Sequence, residues 1–65
     1  MFLNAKDIME IFGVSRAYAY RTIDDLNQNL EEKGYRTIKG KIPSKFLFEN
    51  YYITEQEVEN VRLQR

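Results

Sequence analysis

The 65-residue chain contains no cysteine and no histidine. Disulfide staples are thereby excluded, as are zinc sites of the usual Cys/His kind and imidazole acid–base chemistry. Carboxylate or tyrosine catalysis survives that test, but 65 residues leave little room for a pocket of the usual size, roughly 300–1,000 Å³. The composition therefore argues against an enzyme, and no metal, cofactor or small-molecule ligand is expected. No apolar run is long enough for a signal peptide or a membrane span: Met1-Phe2-Leu3-Asn4 meets Lys6 and Asp7 almost at once. Internal repeats, low-complexity tracts and linkers are missing too. The expectation is a cytoplasmic protein with no membrane partner, and the lack of cysteine agrees with a reducing compartment.

What is present is ordinary for a globular chain, with 43% hydrophobic and 31% charged residues. The length fits a single domain over residues 1–65. A domain this small buries only about 60% of the surface its unfolded chain exposes, so the core is marginal and dimerisation would supplement it. Net charge is zero, which at first argues against nucleic acid. Its distribution says more. Lys33, Arg36, Lys39, Lys41 and Lys45 fall within residues 33–45, a stretch with no acid. The flanks are mildly acidic, with Asp7, Glu10, Asp24 and Asp25 before it and Glu49, Glu55, Glu57 and Glu59 after.

Asn4 reads as an N-cap, with Asp7 three residues on in a capping-box arrangement. Ala5, Ile8, Met9, Ile11 and Phe12 then recur at helical spacing, giving a short amphipathic helix over 5–12 that Gly13 ends. Val14 points inward, and Ser15 caps a second helix over about 15–33, stopped at Gly34. Ala19, Ile23, Leu26 and Leu30 form its buried stripe; a rival stripe through Tyr20, Ile23 and Asn27 is poorer. Tyr35, Thr37 and Ile38 are β-formers, so a hairpin over about 35–42, turning near Gly40, is expected. Pro43 suits the start of a helix over 44–51, with Phe46, Leu47, Phe48 and Tyr51 toward the core. Thr54 and Glu57 form a second capping box, opening a helix over about 55–62 that carries Val58 and Val61. The fold class is mainly α with a small β-hairpin, a winged helix-turn-helix.

The informative unit is residues 5–30. A helix-turn-helix needs a second helix that stands out from the body over a turn of three or four residues, so that it can enter a major groove. Gly13 permits the turn, Val14 pins it, and Ser15 caps the helix while leaving backbone N–H groups for a phosphate. Arg16, Ala17, Tyr20 and Arg21 then face outward with Tyr18 at the border, and Ala19 lets the helices approach closely. Arginine binds guanine bidentately, and the tyrosines offer hydroxyls to phosphates or rings to thymine methyls. Arg36, Lys39 and Lys41 in the hairpin would hold the DNA backbone or reach the minor groove. The partner expected is double-stranded DNA. The terminal helix around Val58 and Val61 is the candidate for homodimerisation, or for cooperative assembly on repeated sites.

The run from Leu3 to Arg21, with Gly13-Val14-Ser15 at its turn, resembles the opening of excisionase-like proteins and of the mercury-resistance-regulator (MerR) winged-helix class. Residues 34–43 and the aromatic helix after them resemble small regulators on mobile elements of Gram-positive bacteria. The resemblance covers roughly residues 3–52. It implies a bacterial, phage or plasmid protein in which Ser15 to Arg21 read DNA and the wing touches the backbone. Such a protein acts in transcription regulation or as an excisionase-like factor. Ala17 departs from the pattern, being short where many relatives offer a polar contact. The ligand-sensing domain of the MerR class has no counterpart here, so ligand sensing does not carry over.

Plainer readings compete with these. Gly13-Val14-Ser15 also suits a simple helical hairpin, and a basic run is often just a solvated surface. Tyr35, Tyr51 and Tyr52 read as core or edge residues. Glu55, Glu57 and Glu59 suit a first helical turn, and Asp24-Asp25 would limit non-specific DNA affinity by repulsion. The rival function is a protein-interaction adaptor that uses the helix-turn-helix as a scaffold without binding DNA.

Overall fold

The structure, a computed structural model, describes residues 1–63, with side chains described up to Glu59. Helix α1 (Ala5–Phe12) begins on a reciprocal cap. The Asn4 side chain accepts the Asp7 N–H at 3.0 Å, and the Asp7 carboxylate accepts the Asn4 N–H at 3.0 Å. At its end Gly13 turns left-handed, with φ 66°, and its N–H donates to the Met9 carbonyl at 2.8 Å. Only Val14 and Ser15 separate Gly13 from helix α2 (Arg16–Glu32), which opens with the Tyr18 N–H donating to Ser15 Oγ at 3.1 Å. Caps of this kind contribute about 1 kcal/mol each, so three successive signals fix a short, rigid connection.

Helix α2 is the spine of the molecule. Ala19, Ile23, Leu26 and Leu30 are buried along it, while Tyr20 is exposed. Asn27, a member of the rival stripe, is nevertheless buried, at 7% exposure. Across from this face lie Leu3, Ile8, Ile42 and Leu47, all fully buried with Ile23. Met9, Ile11, Phe12, Val14, Phe46 and Phe48 pack around them. Each fully buried aliphatic side chain contributes about 1.5–3 kcal/mol. The C-terminus of α2 closes as a Schellman motif: the Gly34 N–H donates to the Glu31 carbonyl and the Tyr35 N–H to that of Leu30, both at 3.0 Å.

The expected hairpin over 35–42 is replaced by a different pairing. Residues 35–38 form no strand; Tyr35 is 64% exposed and Ile38 49%. Strand β2 (Lys41–Pro43) pairs instead with an N-terminal strand β1 (Phe2–Asn4), antiparallel, with Leu3 opposite Ile42. The reason is burial: this register sets two fully buried side chains against the core, whereas none of the side chains of 35–38 is buried. The turn near Gly40 does form. The Lys41 N–H donates to the Ile38 carbonyl at 3.1 Å, and Gly40 has φ 78°, the geometry of a type II turn. The Ser44 N–H donates to the Met1 carbonyl at 2.8 Å, so Met1 and Ser44 form a hydrogen-bonded pair. Alternation along the ladder leaves Pro43 opposite Phe2 in a non-hydrogen-bonded pair, where its missing N–H costs nothing.

Helix α3 (Ser44–Tyr51) starts directly after Pro43 and buries Leu47. The Tyr51 ring is largely exposed but meets Phe12, with centroids 4.9 Å apart. Tyr52 ends α3 in a left-handed conformation, φ 54°, at 97% exposure. A β-carbon is disfavoured there, so Tyr52→Gly should stabilise the fold by about 0.5–1 kcal/mol, seen as a thermal midpoint a few degrees higher. Helix α4 (Glu55–Leu63) opens on a capping box: the Thr54 N–H donates to the Glu57 carboxylate at 3.1 Å and the Glu57 N–H to Thr54 Oγ1 at 3.2 Å. Val58 is only 3% exposed, and with Ile53 it borders a gap of about 130 Å³ against Ile11 and Phe12 of α1. It is therefore used within the molecule and is not a free surface for a second copy. The Val61 side chain lies outside the described residues. No helix among the described residues is long and apolar enough to cross a membrane.

Candidate nucleic-acid interface

Ser15, Arg16, Ala17, Tyr18, Tyr20 and Arg21 are all exposed at the N-terminal end of α2. The 3.6-residue period places Ala17 and Arg21 in the middle of the outer face, with Tyr20 on one side and Tyr18 on the other. Arg16 occupies the first helical position. The first backbone bond of the helix runs from the Ala19 N–H to the Ser15 carbonyl at 2.9 Å, so the amides of Arg16 and Ala17 lie ahead of the intrahelical ladder. This end of α2 thus combines a partial positive charge from the backbone with two guanidinium groups.

Farther along, Asp24, Gln28 and Glu31 continue the line that begins with Ala17 and Arg21. These three, with Asn27, Thr37 and Lys39, border a polar cleft of about 610 Å³ between α2 and the loop before β2. The cleft places Lys39 beside Asp24, Asn27, Gln28 and Glu31, along the edge of the line that Ala17 and Arg21 begin. The loop is tied down on this side: Thr37 Oγ1 donates to the Glu31 carboxylate, and Asn27 Nδ2 donates to the carbonyls of Ile38 at 3.2 Å and Lys41 at 2.9 Å. Lys41 follows as the exposed first residue of β2.

The basic run does not form one patch. Lys33, Arg36 and Lys45 surround a second cleft of about 440 Å³, floored by Leu30, Pro43 and Phe46. Lys33 sits on the opposite flank of the buried line of α2, and its Nζ lies 5.1 Å from the centroid of the Phe46 ring. Arg36 thus faces different neighbours from Lys39. A third groove, about 770 Å³, runs between the N-terminus, α3 and the start of α4, bordered by Met1, Phe48, Tyr52 and Ile53 with Lys45, Glu49, Glu55 and Glu57. Chain length argued against a pocket of that size, yet the groove exists because it lies on the open surface, where no thick core is needed. Among the described residues no cluster of carboxylates is arranged to hold a metal ion.

Sequence reasoning missed two positions on this face. Gln28 falls seven residues after Arg21 and could have been found by extending the outer stripe by two turns. Asn27 carried a fainter signal, a polar residue inside an apolar register.

No family model matches the chain, and no solved structure matches it. A curated protein does: the ICEBs1 excisionase of Bacillus subtilis (strain 168) is 45% identical over 51 residues, which make up 78% of this chain and 78% of that protein.

Proposed function

The chain belongs to the family of the ICEBs1 excisionase, and on that premise we propose that it binds double-stranded DNA sequence-specifically and without catalysis. On this reading it is an excisionase-like architectural factor, or a small transcriptional regulator, of a mobile element. The observation that carries the proposal is the shared flank of α2 and the 35–40 loop, where Arg16, Tyr20 and Arg21 stand clear of the core and Lys39 lies across the cleft from Gln28. The N-terminal half of α2 enters the major groove, and its arginines and tyrosines meet base edges. Lys39 and Lys41 hold the neighbouring backbone in the manner of a wing, though on a loop and not on a hairpin. Asp24, on the same line, repels phosphates at non-cognate registers. One such module makes a small interface, about 600–1,000 Å², so useful specificity calls for two copies on repeated or palindromic sites.

An anisotropy titration tests the reading, using a labelled duplex from upstream of the protein's own gene and a random duplex of equal length. Preference for the first is expected. Affinity should also fall about threefold per phosphate contact when salt rises from roughly 50 to 200 mM. Folded protein that binds neither duplex at the lower salt would sink the proposal. The adaptor reading would then stand, supported by the groove beside the exposed Met1, Phe2 and Tyr52.

A further inference from the structure

Helix α2 buries two polar side chains, Thr22 and Asn27; Thr22 turns back on the Tyr18 carbonyl of its own helix, whereas the Asn27 amide faces two backbone carbonyls of the loop before β2. Only the NH₂ end of the amide can face two acceptors, so its orientation is settled by chemistry. Both N–H bonds are used, one on Ile38 and one on Lys41. Those residues are the first and fourth of the type II turn whose second position is Lys39. The Lys41 carbonyl needs this donor. Lys41 stands opposite Asn4 in a non-hydrogen-bonded pair, so its N–H and carbonyl both point away from β1. Its N–H finds Ile38; its carbonyl finds Asn27. The other atom of the amide, Oδ1, is buried with no hydrogen-bond partner.

We infer that Asn27 is a positioning residue for the basic loop: by gripping both ends of the 38–41 turn, it holds Lys39 across the cleft from Gln28, at the edge of the line that Arg21 begins, and it sets where Lys41 enters the sheet. The inference rests on the DNA-binding reading for its consequence, but not for its geometry. Residues 35–38 form no strand, so no ladder holds this loop in place. Without the amide, the loop keeps the Thr37–Glu31 contact at its base and loses its anchor at the tip. The lysines then sample many positions, and ordering them on a phosphate backbone costs entropy that the clamp had already removed.

Asn27→Leu tests this, since it keeps the branching at Cγ and removes the donors without adding charge; Asn27→Ser, too short to span both carbonyls, is the second variant. Two readouts are taken on each full-length variant: amide hydrogen exchange by NMR without DNA, and the salt dependence of binding to cognate and random duplexes. In folded variants we expect the Lys41 amide to lose protection while the amides of α1 and α2 keep theirs. The salt slope should become shallower by about one unit for each lysine released, with cognate-over-random preference retained. Adding either Asn27 substitution to a Lys39→Ala/Lys41→Ala chain should change the slope no further. A folded variant with wild-type loop protection, or with a wild-type slope, would overturn the inference. So would failure of both variants to fold, because Asn27 would then be a determinant of the whole core. If the wild-type chain binds no DNA, the proposed function fails, while the exchange measurement still decides whether the clamp exists.

Discussion

An alanine in place of Ile23 should lower the urea midpoint of unfolding by roughly 2–3 M. Ile23 is fully buried at the middle of α2, in one cluster with Leu3 and Ile42 of the sheet, Ile8 of α1 and Leu47 of α3. Truncating such a side chain removes about 2–5 kcal/mol, from the lost burial and from the cavity left behind. A domain of this length has a total of only about 3–10 kcal/mol to lose. Much of the chain would therefore be unfolded at the upper end of that loss, and DNA binding would disappear for reasons unrelated to the interface. Urea melts followed by circular dichroism check the point, with the exposed Asp25→Ala as a control expected within about 0.5 kcal/mol of the parent. A loss below 1 kcal/mol at Ile23 would mean that the core is not centred on this stretch of α2.

Arg16→Ala or Tyr20→Ala should instead leave the melt unchanged and reduce discrimination between cognate and random DNA by roughly ten- to a hundredfold. A side chain reading a base edge is worth about 1–3 kcal/mol of discrimination. Both residues are exposed on the first turns of α2, so removing them leaves the packing intact. Lys39→Ala or Lys41→Ala should act differently, weakening binding to both duplexes alike and flattening the salt slope by about one unit each. The second cleft adds a contrast: Arg36→Ala should flatten the slope less than Lys39→Ala, because Arg36 faces Phe46 and Lys45 and not the outer line of α2. Fluorescence anisotropy of the purified variants at two salt concentrations separates these outcomes. If the loop substitutions changed sequence preference and the helix substitutions did not, the roles assigned to the two elements would be reversed.

Much of this could be read before any coordinates, because helix ends are local chemistry. The Asn4–Asp7 and Thr54–Glu57 boxes, the Ser15 cap and the Gly13 turn are bonds between residues three or four apart. Their geometry follows from the residue types and needs nothing distant. The stripe Ala19–Ile23–Leu26–Leu30 is equally legible, since a 3.6-residue period has one apolar face. That much also put Arg16, Tyr20 and Arg21 on the outside.

Three features were beyond the sequence, each because a distant partner decides it. A three-residue strand such as Lys41–Pro43 can pair with any extended edge, and local propensity favoured the β-formers just before it. The N-terminal strand won because only there do Leu3 and Ile42 meet over the core. The basic run looked continuous along the chain, but the loop crosses α2, which sends Lys39 to one flank and Arg36 and Lys45 to the other. Asn27 belonged to the poorer of two candidate buried stripes. It is buried because the turn that folds against it has two carbonyls with a claim on its amide. Sequence alone determined where the helices start, stop and turn their apolar sides; tertiary structure decided which edge the strand found and which way the charges face, since those depend on contacts between parts of the chain that no local pattern connects.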